Sequence, residues 1–145
     1  MGQFVKGQFE NSDCVSKQFA KGKGFVRFNV TDAEVIQCGF VEDARAGDAI
    51  LTEQVTNFGG QYVLLRNSLN KNVLVLICPT NTAAGMAMRL SSYKSSVMQE
   101  CKKQLKGEEV YSLRVTDASD VSELNDQGSD VLRQCPAAVA QPAGG

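Results

Sequence analysis

The stretch Asn72-Val73-Leu74-Val75-Leu76-Ile77-Cys78-Pro79 decides the fold of this 145-residue chain. It contains the most apolar run in the sequence, from Val73 to Ile77, and Pro79 ends that run because proline cannot donate to a strand ladder. A continuous apolar run of this length predicts a strand that is buried on both faces. Such a strand needs cover on both sides, so the sequence predicts a sheet between two helical layers.

A long helix is predicted directly after this strand, from Thr82 to Lys106. At about 1.5 Å per residue it would span roughly 35 Å. Lysines lie in its last turns, where positive charge interacts favourably with the helix dipole, and Gly107 provides a stop. Its apolar residues recur at steps of three and four, which places them on one face. They are Met86, Leu90, Tyr93, Val97, Cys101 and Leu105.

The other predicted elements complete a sheet with helices on both sides. Alternating apolar residues predict strands at 25–30, 34–41, 61–66 and 110–115, and capping residues with helical spacing predict helices at 14–20, 46–58 and 120–133. The polar segment 67–71 is expected to be a hairpin tip. The predicted fold class is therefore α/β (α+β), with a central mixed β-sheet of about five strands sandwiched between helices.

Length and composition indicate one folded domain. The chain is 43% apolar, which is enough to offset the conformational entropy lost on folding. We expect an N-terminal extension at 1–10, the domain at 11–134 and a flexible C-terminal tail at 135–145, which is small, apolar and rich in Pro and Gly. No segment approaches the roughly 20 apolar residues of a membrane span, and the first ten residues lack a signal-peptide run, so a cytoplasmic location is expected.

Charge and residue content exclude several classes of function. The net charge of -1 lacks the basic excess that nucleic-acid-binding proteins use on phosphates, so no nucleic acid is expected as a partner. The absence of histidine excludes Ser-His-Asp and Cys-His catalysis, and the scattered cysteines form no C-x-x-C pair. No phosphate-binding glycine motif occurs. We therefore expect no enzyme, no cofactor and no metal, with Cys78 as the one candidate nucleophile if the chain were an enzyme.

The segment 76–94 resembles the signature region of the actin-depolymerising factor/cofilin family. In that family a hydrophobic strand ends in Trp-x-Pro-Asp, and after a loop the long helix opens with Lys-Met-x-Tyr-Ala-Ser-Ser-Lys. Four residues of this sequence match that pattern in type and spacing, namely Pro79, Met88, Ser92 and Lys94. The predicted order of elements is also that of the family's ADF-homology domain, which is a gelsolin-like fold, so the resemblance covers about residues 11–134.

This sequence departs from the family pattern at several positions of the same segment. Gly85 and Ala87 stand where the family has basic residues before the methionine. Leu90 replaces the family's aromatic residue, and Thr80 replaces the aspartate after the proline. The chain therefore resembles a divergent member of the family.

The resemblance implies that the chain binds actin, as monomer and/or filament, and promotes filament disassembly or turnover in the cytoplasm at the cytoskeleton. One surface would lie on the long helix and enter the cleft of an actin subunit, together with the segment before Cys14. Its residues would be Met88, Arg89, Ser92 and Lys94. Because actin is acidic, cations around an apolar anchor would supply steering and register.

A second surface is implied at the hairpin tip and the last helix, where it would contact the neighbouring filament subunit. Its residues would be Arg66, Lys71, Glu123 and Arg133. We expect such a protein to be a monomer. The alternative is a structural or assembly subunit of a virion or filament, without actin binding, which the small size and the apolar tail would suit.

Overall fold

The structure is a computed structural model, and it describes residues 7–126. Within this range the chain forms six strands and two α-helices, with a π-helical turn at Val15–Phe19 between the first two strands and a 3-10 helix at Ala118–Asp126 after the last strand. The strands and α-helices are β1 (Phe9–Glu10), β2 (Gly24–Val30), β3 (Ile36–Glu42), α1 (Gly47–Asn57), β4 (Gln61–Arg66), β5 (Asn72–Ile77), α2 (Ala84–Gln104) and β6 (Val110–Val115).

The strands form one mixed sheet in the order β1-β3-β2-β4-β5-β6. The central pairs β3-β2, β2-β4 and β4-β5 are antiparallel, whereas β1 and β6 pair in parallel with β3 and β5. This confirms the predicted mixed sheet between helices. The difference from the predicted five strands is β1, which is only two residues long and carries no alternating pattern that could be recognised in the sequence.

Both faces of the sheet are covered, as the apolar run in β5 requires. Every residue of β5 is buried. Leu74 and Leu76 point into the layer under α2, which also holds Tyr62 and Leu90. The alternate residues of β5 point into the layer under α1 and the 3-10 helix, where Leu51 and Leu124 are fully buried. Each fully buried aliphatic side chain of this kind contributes about 1.5–3 kcal/mol.

The long helix α2 is continuous, and it is two residues shorter at each end than predicted. It begins later because Thr82 donates its N–H to the carbonyl of Pro79, which forms a turn, and Ala83 has an extended backbone. It ends earlier because Lys106 and Gly107 both take positive φ values. Its predicted inner face is confirmed, with Leu90, Val97 and Cys101 buried. Leu105, directly after the helix, is buried as well.

The segments that flank the domain differ from the sequence interpretation. The helix predicted at 14–20 is a short π-helical turn, with Val15 and Phe19 buried. Within the predicted N-terminal extension, Phe9 and Glu10 form β1 and join the sheet. The last predicted helix begins as a 3-10 helix and is described as far as Asp126. Residues 127–133 of that helix and the predicted tail at 135–145 lie outside the described residues.

Candidate partner-binding surfaces

The first half of α2 carries an uncharged exposed stripe with Met88 at its centre. Met88 is 70% exposed, more than the other large apolar side chains that lie at the surface of residues 7–126. Gly85 and Ser92 are also exposed, and they lie three and four positions from Met88, which places all three on one side of the helix. The helix therefore presents a flexible thioether to solvent from a rigid backbone.

Arg89 does not extend freely beside Met88. Its Nη1 atom lies 3.4 Å from the Oδ1 atom of Asp32, in the turn between β2 and β3, and its side chain is 30% exposed. Because Asp32 is fully exposed, water screens the pair and it contributes little to stability. The pair nonetheless neutralises part of the positive charge that the sequence assigned to this surface.

Lys94 lies on the other flank of the stripe. It follows Arg89 by five positions, which is a rotation of about 140° around the helix axis. Lys94 is half-buried, and among residues 7–126 no ion pair engages it. The structure thus places Met88 and Ser92 together and sets the two cations on opposite sides of them.

The first turn of α2 contains no cation that could replace those of the family pattern. A Cβ atom built on Gly85 would meet nothing within 4 Å, so a side chain at this position would have open space. Ala87 is half-buried and packs against the core layer under α2. Gly85 is therefore the position at which a missing positive charge could be restored without a clash.

Arg66, assigned by the resemblance to the second surface, is engaged inside the molecule. Its guanidinium lies 4.1 Å from the centroid of the Phe19 ring. It also donates to the carbonyl of Phe19 over 2.7 Å and to that of Gly22 over 3.3 Å. Partial burial lowers the pKa of Arg66. These contacts join the end of β4 to the π-helical turn and use two of the five N–H donors of Arg66.

The hairpin tip and the 3-10 helix form one continuous surface. Asn67 is buried, and its Nδ2 atom donates to the carbonyl of Leu124 over 3.1 Å. The N–H of Ser68 donates to Oδ1 of Asn125 over 3.0 Å, which adds a second link. The two exposed charged residues predicted for this surface, Lys71 and Glu123, therefore lie on adjoining elements. Arg133, the fourth predicted residue, lies outside the described residues.

Leu69 is a surface residue that the sequence interpretation missed. It is 50% exposed at the hairpin tip, where the side chain of Asn67 accepts the N–H groups of Leu69 and Lys71 and fixes the turn. A single aliphatic residue among polar ones was the signal in the sequence. The hairpin tip and the start of α2 lie at opposite ends of β5, so the two surfaces are separated by roughly 20 Å.

The cysteines of the described region lie in the interior. Cys14, Cys38, Cys78 and Cys101 are free thiols, and all four are buried. Burial raises the pKa of Cys14 to about 11 and that of Cys38 to about 12, which disfavours the reactive thiolate. Cys78, the candidate nucleophile, is 7% exposed at the end of β5.

The described residues contain neither a cluster of metal ligands nor a membrane-spanning helix. Within residues 7–126, no three Cys, Asp or Glu side chains come together as metal ligands. None of the helices in that range is long and apolar enough to cross a membrane.

Comparison with known proteins gives similarity in structure and not in sequence. No protein-family model and no curated protein matches the sequence. The cofilin of Streptomyces griseoflavus matches at 14% identity with a TM-score of 0.60, over 85% of this chain and 96% of that one. Human coactosin-like protein matches at 14% identity with a TM-score of 0.60, over 92% of this chain and 93% of that one. Actin depolymerization factor 2 of Plasmodium berghei matches at 13% identity with a TM-score of 0.58, over 90% of this chain and 99% of that one. The chain therefore has the ADF-homology fold, as the resemblance around Pro79 and Met88 predicted.

Proposed function

We propose that this chain is an actin-binding protein of the ADF/cofilin type, which binds actin monomers and/or filaments and promotes filament disassembly or turnover. The observation that carries the proposal is Met88, 70% exposed in the opening turns of an uninterrupted α2. Solved structures with the same fold include proteins named cofilin and actin depolymerization factor. The fold and the exposed stripe support a protein-binding role, and we propose no catalytic activity for the chain.

In this proposal Met88 is the apolar anchor of the interface. A methionine side chain has several rotatable bonds and a polarisable sulfur, so it can adapt to a groove between two domains of a partner. Ser92, one turn later on the same side, would supply a polar contact at the rim. A well-packed anchor at the centre of an interface often contributes 2 kcal/mol or more to binding, about a thirtyfold effect.

Charge has a smaller part in this interface than in the family pattern. Arg89 is paired with Asp32, Lys94 lies on the far flank, and positions 85 and 87 are uncharged. Long-range steering of an acidic partner depends on net positive charge near the contact. We therefore expect binding that depends mainly on the apolar anchor and weakens only modestly with salt.

The surface formed by the hairpin tip and the 3-10 helix, which we call the hairpin surface, would supply the contact to a second filament subunit. Leu69 and Lys71 are exposed at its tip, and Glu123 lies on the adjoining 3-10 helix. In this proposal α2 contacts one actin subunit and the hairpin tip with the 3-10 helix contacts the neighbouring subunit, so that the chain can act on a filament as well as on a monomer. We propose that this chain works as a monomer in the cytoplasm.

Co-sedimentation with filaments and pyrene-actin disassembly test the proposal directly. The wild type should sediment with filaments at tens of micromolar protein and should accelerate their disassembly. Met88→Ala should weaken monomer and filament binding about tenfold to thirtyfold, because it removes the anchor. Gln99→Ala is the matched control, since Gln99 is exposed on the same helix three turns further along.

Two results would reject the proposal. One is a wild type that binds neither monomeric nor filamentous actin at these concentrations. The other is equal loss of binding in Met88→Ala and Gln99→Ala, which would mean that the anchor is not the contact. Size-exclusion chromatography at high concentration tests the alternative of an assembly subunit, which should elute as a large oligomer, whereas a monomeric actin-binding protein should not.

A further inference from the structure

The segment Gly7–Glu10, which we call the strap, is fastened to the fold beside α2. Gly7 donates its N–H to the carbonyl of Glu34 over 2.7 Å. Ile36 donates its N–H to the carbonyl of Gln8 over 2.8 Å, and Phe9 and Glu10 then pair with β3 as β1. The strap therefore follows the edge of the sheet on the side where the turn between β2 and β3 meets α2.

The ring of Tyr93, on α2, packs against Gly7, the first residue of the strap. Gly7 has φ +81°, and a Cβ atom added to it would lie 3.2 Å from Cε1 of Tyr93. The hydroxyl of Tyr93 donates to Oε1 of Glu34 over 2.6 Å. Glu34 thus holds both partners at once, the strap through its backbone carbonyl and the helix through its carboxylate.

The turn between β2 and β3 is attached to α2 at two points. Asp32 pairs with Arg89, and Glu34 accepts from Tyr93, one helical turn further along. The turn is itself tightly closed, since Glu34 donates its N–H to the carbonyl of Thr31 over 2.8 Å and has a positive φ of 61°. Met88 is the neighbour of Arg89 in sequence, so this attachment lies directly beside the exposed stripe.

We propose that Tyr93 and Glu34 form a latch that holds the strap against the first half of α2. The latch would thereby set the position of the segment before Cys14, which the family resemblance assigns to the same actin-binding surface as α2. This inference rests on the proposed function. Tyr93 is a positioning residue in it, because it acts through Gly7 and Glu34. The family pattern quoted above has serine at this position, so the latch is a feature of this chain.

The latch itself is tested without actin, by amide hydrogen exchange in the free chain. Tyr93→Phe keeps the ring and removes the hydroxyl, so exchange at Gly7 and Ile36 should become about fivefold to tenfold faster. Gly7→Ala should have a similar effect from the other side, because its φ is strained for alanine and its methyl group would press on the ring. Exchange at Val75, in the centre of the sheet, should not change.

Actin affinity then tests whether the strap belongs to the binding surface. Tyr93→Phe should bind actin about fivefold more weakly, because a strap at the edge of the sheet would be mostly open in this variant and must close before actin can contact it. Glu34→Gln should lie between this variant and the wild type, because its amide oxygen still accepts a hydrogen bond without the charge. Ser96→Ala is the control, an exposed change on α2 less than one turn from Tyr93.

The outcomes separate this inference from the proposed function. Unchanged exchange at Gly7 and Ile36 in Tyr93→Phe would overturn the latch, whatever the actin result. Faster exchange with unchanged actin affinity would overturn the role of the strap in binding. If the wild type bound no actin, the proposed function and the shared surface would both fail, and the exchange rates would still decide whether the latch exists.

Discussion

Met88 is a large apolar side chain that the fold leaves in water on the first half of α2. Single exposed apolar residues are common on protein surfaces. Here, however, the residue sits on a rigid helix among neighbours without charge, and both nearby cations lie to the sides. At the scale of single residues, the surface is therefore an apolar anchor that has no unpaired positive charge directly beside it among residues 7–126.

Gly85→Lys tests whether positive charge can be restored beside the anchor. The new side chain would have open space, and the gain from replacing a helical glycine should offset the unfavourable charge at a helix N-terminus, so stability should change by less than about 0.5 kcal/mol. Actin binding should become about twofold to fivefold tighter and more sensitive to salt. Titration at low and high salt is the measurement. Gly85→Ala is the control, and an equal gain in that variant would show that charge is not the cause.

The elements of the fold are joined by contacts between residues far apart in sequence. Arg66 at the end of β4 reaches Phe19 and Gly22 around the π-helical turn. Asn67 reaches Leu124 of the 3-10 helix. These links hold the hairpin surface in place, so a substitution near it can change the stability of the fold, the binding of a partner, or both.

Arg66→Ala separates these two roles. It removes a cation–π contact and two hydrogen bonds, and the free energy of unfolding should fall by about 1–3 kcal/mol. Lys71→Ala, at an exposed position of the same hairpin, should change that free energy by less than about 0.5 kcal/mol. Urea denaturation gives both values. A stable Arg66→Ala variant with impaired filament binding would instead make Arg66 a direct contact residue.

Local patterns predicted the main elements, and long-range contacts explain what they missed. The run Val73–Ile77 and the spacing of Leu90, Val97 and Cys101 are local features, and both identified their elements. The burial of Arg66 depends on Phe19, 47 positions away, so the sequence showed only a cation near a turn. The latch between Glu34 and Tyr93 spans 59 positions and was likewise not predictable. Apart from Leu69, which the structure added, the residues of both candidate surfaces came from the family resemblance, and their roles in binding stay predictions.

At the scale of the whole molecule, protonated thiols are part of the core. Cys14 and Cys38 have pKa values raised by burial from 9.0 to about 11 and about 12, and burial raises the pKa of Cys101 as well. The hydrogen bond to Glu34 raises the pKa of Tyr93. Because these folded-state pKa values exceed the unfolded ones, the associated stability is fully present below pH 9 and is lost as pH rises through the folded values.

The free energy of unfolding should therefore fall between pH 9 and pH 11, as the unfolded chain releases thiol protons that the folded chain retains. Thermal unfolding measured at several pH values in this range gives the slope of the free energy of unfolding against pH. Cys38→Ala should be somewhat less stable at pH 8 and should show a shallower fall, since one retained proton is gone. A slope equal to that of the wild type would mean that Cys38 does not contribute to the alkaline loss.

The central claim is that Met88 enters the actin interface, and methyl NMR tests it most directly. In a chain labelled with ¹³C at the methionine methyl groups, Met88 and Met98 report on two places along the same helix, because Met98 is half-buried three turns further along. Titration with monomeric actin should shift the Met88 methyl signal or broaden it more strongly than the Met98 signal. The chemical shift of the Met98 methyl group should not change. Unchanged spectra at tens of micromolar actin, or a specific change at Met98 alone, would contradict the account.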